Sequence, residues 1–185
     1  MIIKLADTKE ELVQILTLQD ENHLDNIPID NRNSNGFVTV RHDIELLLKM
    51  NKNARQIIAI DNDVLVGYAL VMLKDFSKMI PVLVPMFKMF EKLEYKSKRL
   101  SDYSYYVMGQ ICIKESHRGL GIFEKLYLKH KEIYSNQFDI CLTEVSTSNI
   151  RSMKAHEKVG FKIIHSFEDK TDKWNILLWD WNKIN

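Results

Sequence analysis

Two cysteines in 185 residues, Cys112 and Cys141, are too few for a disulfide scaffold, and they lack the C-x-x-C spacing of a zinc site. Each stands alone in an apolar, strand-like run, so both are expected to be buried, reduced and structural. The six histidines are scattered, with no H-E-x-x-H pair, and no metal site is expected. A surplus of charge is missing as well: 26 Lys and Arg face 25 Asp and Glu, a formal net charge of +1. That balance leaves no electrostatic footprint for general nucleic-acid or membrane-surface binding. No apolar run approaches the ~18 residues of a bilayer span. An N-terminus that alternates charge early (Lys4, Asp7, Lys9, Glu10, Glu11) does not read as a secretory leader, and the cytoplasm is the expected location. Repeats, low-complexity tracts and linkers are also lacking. What is there is ordinary globular composition, 45% hydrophobic and 28% charged, expected to form one domain over 1–185 with a real core.

Periodicity and turn residues divide the chain into alternating elements. Ile2–Leu5 reads as a strand, and Thr8 with Glu11 as a capping box opening a helix that carries Leu12, Val13, Ile15 and Leu16. Asp20 to Asn35 reads as a loop, Gly36–Val40 as a strand, and Asp43 as the cap of a short helix with Leu46, Leu47 and Met50. Gln56–Ile60 and Val64–Met72 flank the turn cluster Asp61-Asn62-Asp63 and predict a hairpin. An insertion over about 76–100 is expected to hold a helix around Val82 to Leu93. Strands follow at Tyr105–Ile113, Asp139–Val145, Phe161–Ser166 and Asn175–Trp181, with helices at Gly119–Ser135 and Ile150–Lys158. The order predicts an α/β (α+β) domain with a mixed, mostly antiparallel sheet and helices on both faces.

The strand ending at Ile113 runs through Lys114-Glu115-Ser116-His117 into Arg118-Gly119-Leu120-Gly121-Ile122-Phe123 and then an amphipathic helix. Free backbone N–H groups at a helix start bind phosphate oxygens, glycines let the backbone approach, and Arg118 adds a charge-assisted contact. Alone, such a turn is equally a plain strand-to-helix connection. The P-loop pattern is absent, and the dinucleotide fingerprint lacks its third glycine. Further on, Asn149, Ser152 and His156 fall on one stripe of a helix closed by Gly160, while Ile150, Met153 and Val159 lie on the other side. The stripe suits the lining of an amide-rich cofactor arm, or else a helix cap and solvated side chains.

Together the two segments resemble the GNAT superfamily of N-acetyltransferases. Arg118-Gly119-Leu120-Gly121 matches its Q/R-x-x-G-x-G/A motif, and Asn149, Ser152, Lys158, Gly160 and Phe161 match its N-x-x-S…K-x-G-F motif. The likeness is clearest over 103–168, and it departs at Phe123, where the family has Gly or Ala. The resemblance implies a GNAT fold of six to seven strands, splayed between the fourth and fifth, with acetyl-CoA as acyl donor in the splay. It places Ile111, Cys112 and Ile113 on the pantetheine, Arg118, Gly119, Leu120, Gly121, Ile122 and Phe123 around the pyrophosphate, and Asn149 and Ser152 along the arm.

Direct attack of an amine on the thioester would need a base, an oxyanion donor and an acid for the thiolate. Thr143-Glu144-Val145 through Phe161 looks like the matching stretch of ribosomal-protein alanine N-acetyltransferases, which implies Glu144 as base and His156, in place of a tyrosine, as acid or base; the alternatives are an inward strand carboxylate satisfied by backbone or water at Glu144, and at His156 a structural hydrogen-bonder near the cofactor sulfur. The implied acceptor is a primary amine of a small molecule or a protein N-terminus; the alternative is an inactive acyl-CoA-binding or scaffold protein. Gln110 is a candidate amide for the acceptor site. In this fold the Met- and Phe-rich insertion would lie beside the acceptor end, as a lid or wall, as a helix packed on the sheet, or as a homodimer contact. Trp174, Trp179 and Trp181 read as core or interface aromatics.

Overall fold

Thr8 starts the first helix by a reciprocal cap: its hydroxyl accepts from Glu11 N at 3.2 Å, and the Glu11 carboxylate accepts from Thr8 N at 3.1 Å. Helix α1 (Lys9–Glu21) follows and buries Leu12, Ile15 and Leu18. Asp43 caps α2 (Ile44–Asn53) by a one-way bond, its carboxylate accepting from Leu46 N at 2.7 Å, and Leu47 and Met50 turn inward. The computed structural model describes residues 1–31 and 37–181, so Gly36 of the expected strand lies outside the described residues. Of the remainder of that strand only Val38 pairs, in an isolated parallel bridge with His23.

Strands β1 (Ile2–Leu5), β2 (Ile57–Asp61) and β3 (Val64–Met72) form an antiparallel series, and the β2–β3 turn passes through Asn62 and Asp63 at φ 48° and 63°. A small hairpin, β4 (Glu94–Tyr95) and β5 (Lys98–Arg99), precedes β6 (Tyr105–Ile113), which pairs antiparallel with β3. Strand β7 (Ile140–Ser146) runs parallel to β6, and β8 (Lys162–Glu168) and β9 (Lys173–Asp180) close the sheet in the order β1-β2-β3-β6-β7-β9-β8. The remaining helices of the described residues are α3 (Val84–Phe90), α4 (Ile122–Tyr134) and α5 (Ile150–Val159). On one sheet face α1, α2 and the insertion bury Leu12, Leu47, Tyr68, Phe90 and Leu142; on the other, α4 and α5 bury Leu126, Tyr127, Cys141, Phe161 and Trp179. Ile150, expected to face this core, is 52% exposed.

The sheet opens at β6 and β7, the only parallel strand pair among the described residues. Strands β6 and β7 pair from Tyr105 opposite Ile140 to Val107 opposite Leu142 and no further, although β6 continues to Ile113 and β7 to Ser146. At the fork the Thr143 hydroxyl donates to Met108 O at 3.0 Å. Beyond it the two strands keep only their outer partners, β3 and β9, and a wedge is left between them.

The insertion lies elsewhere than expected. Pro81 and Pro85 break its helical part into 3₁₀ turns at Lys74–Lys78 and Pro81–Leu83 and the short α3, and Lys96 and Ser97 at φ 49° and 60° turn the hairpin. Because Met72 pairs with Val107 while Gly67 pairs with Ile113, the β3–β6 connection leaves from the closed end of the wedge. There it buries Phe76, Met86 and Phe90 in the first core, and Tyr95 Oη and Lys96 Nζ hold Asp180 at 3.1 and 2.7 Å. It lines neither of the two cavities that open beside the wedge, which speaks against the lid and substrate-wall readings, and its apolar side chains pack on the sheet.

Helix α5 ends on Gly160 at φ +117°, where an added Cβ would come 3.1 Å from Trp179 Nε1. Gly160→Ala is therefore expected to cost about 2 kcal/mol, from left-handed strain and the clash together. Urea unfolding should show a lowered midpoint at unchanged slope.

Candidate active site

The phosphate-type turn is built as a break before α4. After Ile113 the chain makes a 3₁₀ turn at Glu115–His117, and Gly119 and Gly121 then take φ +82° and +74°, a region that L side chains rarely adopt. Gly121 is the N-cap, so α4 starts at Ile122 and not at Gly119 as expected. A Cβ on either glycine would meet nothing within 4 Å, which leaves the backbone open to approach. The first-turn N–H groups, unpaired within the helix, border a cavity of about 290 Å³.

Ile111, Cys112, Ile113, Arg118, Gly119, Gly121, Ile122, Phe123, Asn149 and Ser152 all line this one cavity, with Arg151 and Lys158 of α5. Leu120 does not; its side chain is 58% exposed, so the turn can offer only its backbone there. Burial pushes the Cys112 and Cys141 thiols up to about 12, as inert thiols require. Arg118 braces the turn: Nε donates to Ile113 O at 3.2 Å and Nη2 to Asn22 Oδ1, at the end of α1, at 2.6 Å. Asn149 is committed within the chain, since Oδ1 accepts from Ser152 N and Nδ2 donates to Phe37 O, both at 3.2 Å. The Phe123 ring meets His156 edge-on, with centroids 5.0 Å apart.

A second cavity of about 80 Å³ occupies the fork and shares Phe37, Val38, Ile111, Asn149 and Ser152 with the first. Its walls are Met108–Ile111 of β6, Thr143–Ser146 of β7, His156, Trp174 and the Phe37–Val40 strap. Gln110 lines it too, but its amide is occupied: Oε1 accepts from Gln19 Nε2 at 2.7 Å and from Tyr68 Oη at 2.6 Å, and Nε2 donates to Val40 O at 2.8 Å. Its work is to anchor the strap.

Glu144 and His156 both reach this second cavity, in opposite states. Glu144 Oε2 is buried and has no hydrogen-bond partner among the described residues. Burial, and secondarily the charge of Asp169, push its carboxyl up to about 8. His156 is 2% exposed, and burial holds it down to about 4. Its Nδ1 lies 2.8 Å from Ser152 O, which can only accept, so Nδ1 carries the proton and Nε2 accepts from Tyr127 Oη at 2.6 Å. Both ring nitrogens are thus engaged within the chain and burial disfavours the imidazolium at neutral pH, an arrangement that fits His156 as a structural hydrogen-bonder better than as an acid or base.

The strap, Asn22 and the cavity-lining position of Trp174 escaped the sequence reading; Asn22 carried no signal, and Trp174 read as packing. Among the described residues no group of His, Cys, Asp or Glu could hold a metal ion, and no helix is long and apolar enough to cross a membrane.

A mixed sheet forked between parallel strands, with a glycine turn and helix N-terminus at the mouth of the fork, defines a class: the chain belongs to the acetyltransferase (GNAT) family, whose model matches residues 16–161. Among solved structures, the NatC complex bound to Gag peptide and CoA is similar at 13% identity, covering 98% of both chains with a TM-score of 0.67. Arabidopsis thaliana Naa50 in complex with the bisubstrate analogue CoA-Ac-MVNAL matches at 17% identity over 98% of this chain and 100% of its own, TM-score 0.64. The ribosomal-protein-alanine N-acetyltransferase from Brucella melitensis matches at 14% identity over 97% and 99%, TM-score 0.63. A comparison with curated proteins gave no match.

Proposed function

We propose that this chain transfers an acetyl group from acetyl-CoA to a primary amine by direct attack, with Glu144 as base. The observation that carries this reading is the buried Glu144 Oε2, without a partner among the described residues, in a cavity that shares five lining residues with the one at the glycine turn. Acetyl-CoA supplies an activated thioester carbonyl. The first cavity fits such a donor: Gly119 and Gly121 leave open space where a Cβ would stand, and the N–H groups at the start of α4 would be available to phosphate oxygens. Ile111, Cys112 and Ile113, on the open side of β6, line the cavity where the pantetheine arm would run. Glu144, raised toward 8, takes a proton from an entering ammonium when ionised, and returns it to solvent as pH rises toward 8. The acceptor, an amine of a small molecule or of a protein N-terminus, enters past the strap and Trp174.

Gly121→Val is expected to weaken acetyl-CoA binding more than about 100-fold, since a branched side chain fills the approach to the helix start. Titration calorimetry reads it, and unchanged affinity removes the cradle. The reading as a whole is tested by thiol release from acetyl-CoA over a panel of primary amines and short peptides. Amine-dependent release supports transfer; binding of acetyl-CoA with no release on any amine supports the inactive acyl-CoA-binding alternative.

A further inference from the structure

At the seam between the two cavities one polar group is left over. Of the side chains that line both, Phe37, Val38 and Ile111 are apolar, and Asn149 has both amide atoms bonded within the chain. Ser152 is the exception. Its Oγ lies 3.3 Å from His156 Nδ1, and Nδ1 is a donor because its nearer neighbour, Ser152 O at 2.8 Å, is a carbonyl. The Ser152 oxygen therefore accepts a shared hydrogen bond, and its own proton has no acceptor among the described residues. Tyr127 enforces this direction: its hydroxyl, fully buried, donates to Nε2 at 2.6 Å and so holds the ring in the tautomer protonated at Nδ1. A hydroxyl that already accepts a hydrogen bond is polarised into a better donor.

We propose that the Ser152 hydroxyl hydrogen-bonds the departing sulfur in acetyl transfer, with His156 and Tyr127 as positioning residues. This rests on the acetyl-transfer reading of the cleft. The ammonium gives one proton to Glu144, and the free amine attacks the thioester carbonyl carbon. The C–S bond breaks with its electron pair going to sulfur. The surplus proton on nitrogen ends on that sulfur, giving the amide and CoA thiol, while Ser152 keeps its own proton and stabilises the sulfur's negative charge throughout. No imidazolium is needed, which accommodates a histidine held near 4.

The test uses CoA itself, whose thiolate absorbs ultraviolet light where the thiol does not. Bound CoA is titrated with pH in a Glu144→Gln background, so that the carboxyl facing the seam does not titrate; His156 stays neutral, and Cys112, His117, Arg118, Glu124, Arg151 and Lys158 of the first cavity are common to every variant. With Ser152 present the bound thiol should ionise about one pH unit lower than in Ser152→Ala, a tenfold effect. Ser152→Thr should restore the shift and Tyr127→Phe should lose part of it. In the Glu144 protein, Ser152→Ala should lower kcat about 10- to 100-fold with the acetyl-CoA Kd changed less than about threefold. Equal thiol ionisation with and without the Ser152 hydroxyl, CoA being bound in both, overturns the proposal and leaves the transfer reading standing. Failure of the unmodified protein to bind CoA overturns both.

Discussion

Glu144→Gln should produce a protein that is both slower and more stable. Removing the base is expected to lower turnover on the best amine about 10²- to 10³-fold and to flatten the rise of rate with pH as the carboxyl ionises near 8. The stability effect has a definite sign. A folded pKa raised from 4.5 to about 8 means that the native state holds a proton the unfolded chain has lost. The stability this contributes is complete below about 4.5 and disappears as pH rises through 8. Glutamine keeps the neutral shape without needing the proton, so at pH 9 the variant should be more stable by on the order of 3 kcal/mol. Urea melts of both proteins at pH 5 and pH 9 read it: curves close together at the lower pH and separated at the higher. A variant less stable at pH 9 would mean that Glu144 is a structural partner and not a strained base.

Acid should unfold the protein early. Burial holds His42 and His156 down to about 4 and His130 to about 3, so each stays neutral in the folded state after its unfolded counterpart, near 6.5, has charged. Depressed histidine values cost stability as pH falls through 6.5, because the unfolded chain then binds the extra protons. Three such protons are opposed by one, the proton that native Glu144 already holds. The net slope is roughly 3 kcal/mol lost per pH unit between 6 and 5, a large fraction of a domain's total stability. Unfolding is therefore expected between pH 4 and 5. His130, stacked on Tyr106 and bonded to its hydroxyl at 2.9 Å, lines neither cavity, so His130→Gln should reduce the slope by about 1.4 kcal/mol per unit and leave the cleft alone. A pH-independent midpoint from 7 to 5 would show that these histidines are not buried neutral.

Much of this architecture was readable from neighbouring residues, because its boundaries are set locally. Thr8 with Glu11, Asp43 and Asn149 start helices through bonds to backbone N–H groups three residues on, and Gly160 ends one through a left-handed turn. Gly119 and Gly121 mark the anion-type turn for the same reason. What escaped depends on contacts distant in sequence. The strap at 37–40 is held by Gln110, itself bonded to Gln19 and Tyr68, and by Asn149. Its backbone joins the cleft without forming a strand, so no periodicity reveals it. The state of His156 was equally hidden, since Tyr127 and the aromatic shell of Phe123 and Phe161 decide it. Position on a helix stripe showed that His156 faces the cleft, but not that both ring nitrogens are occupied. The insertion was misplaced because composition says how apolar a segment is, not which end of a sheet it leaves from.

A crystal structure with acetyl-CoA bound tests most directly whether the two cavities are donor and acceptor halves of one cleft. The pyrophosphate should rest on the backbone N–H groups from Gly119 to Phe123, the arm should run along Ile111–Ile113, and the thioester should sit at the seam beside Ser152 with its carbonyl carbon facing the Glu144 cavity. A thioester lodged outside the fork between β6 and β7, or an arm that blocks the Glu144 cavity altogether, would contradict the account.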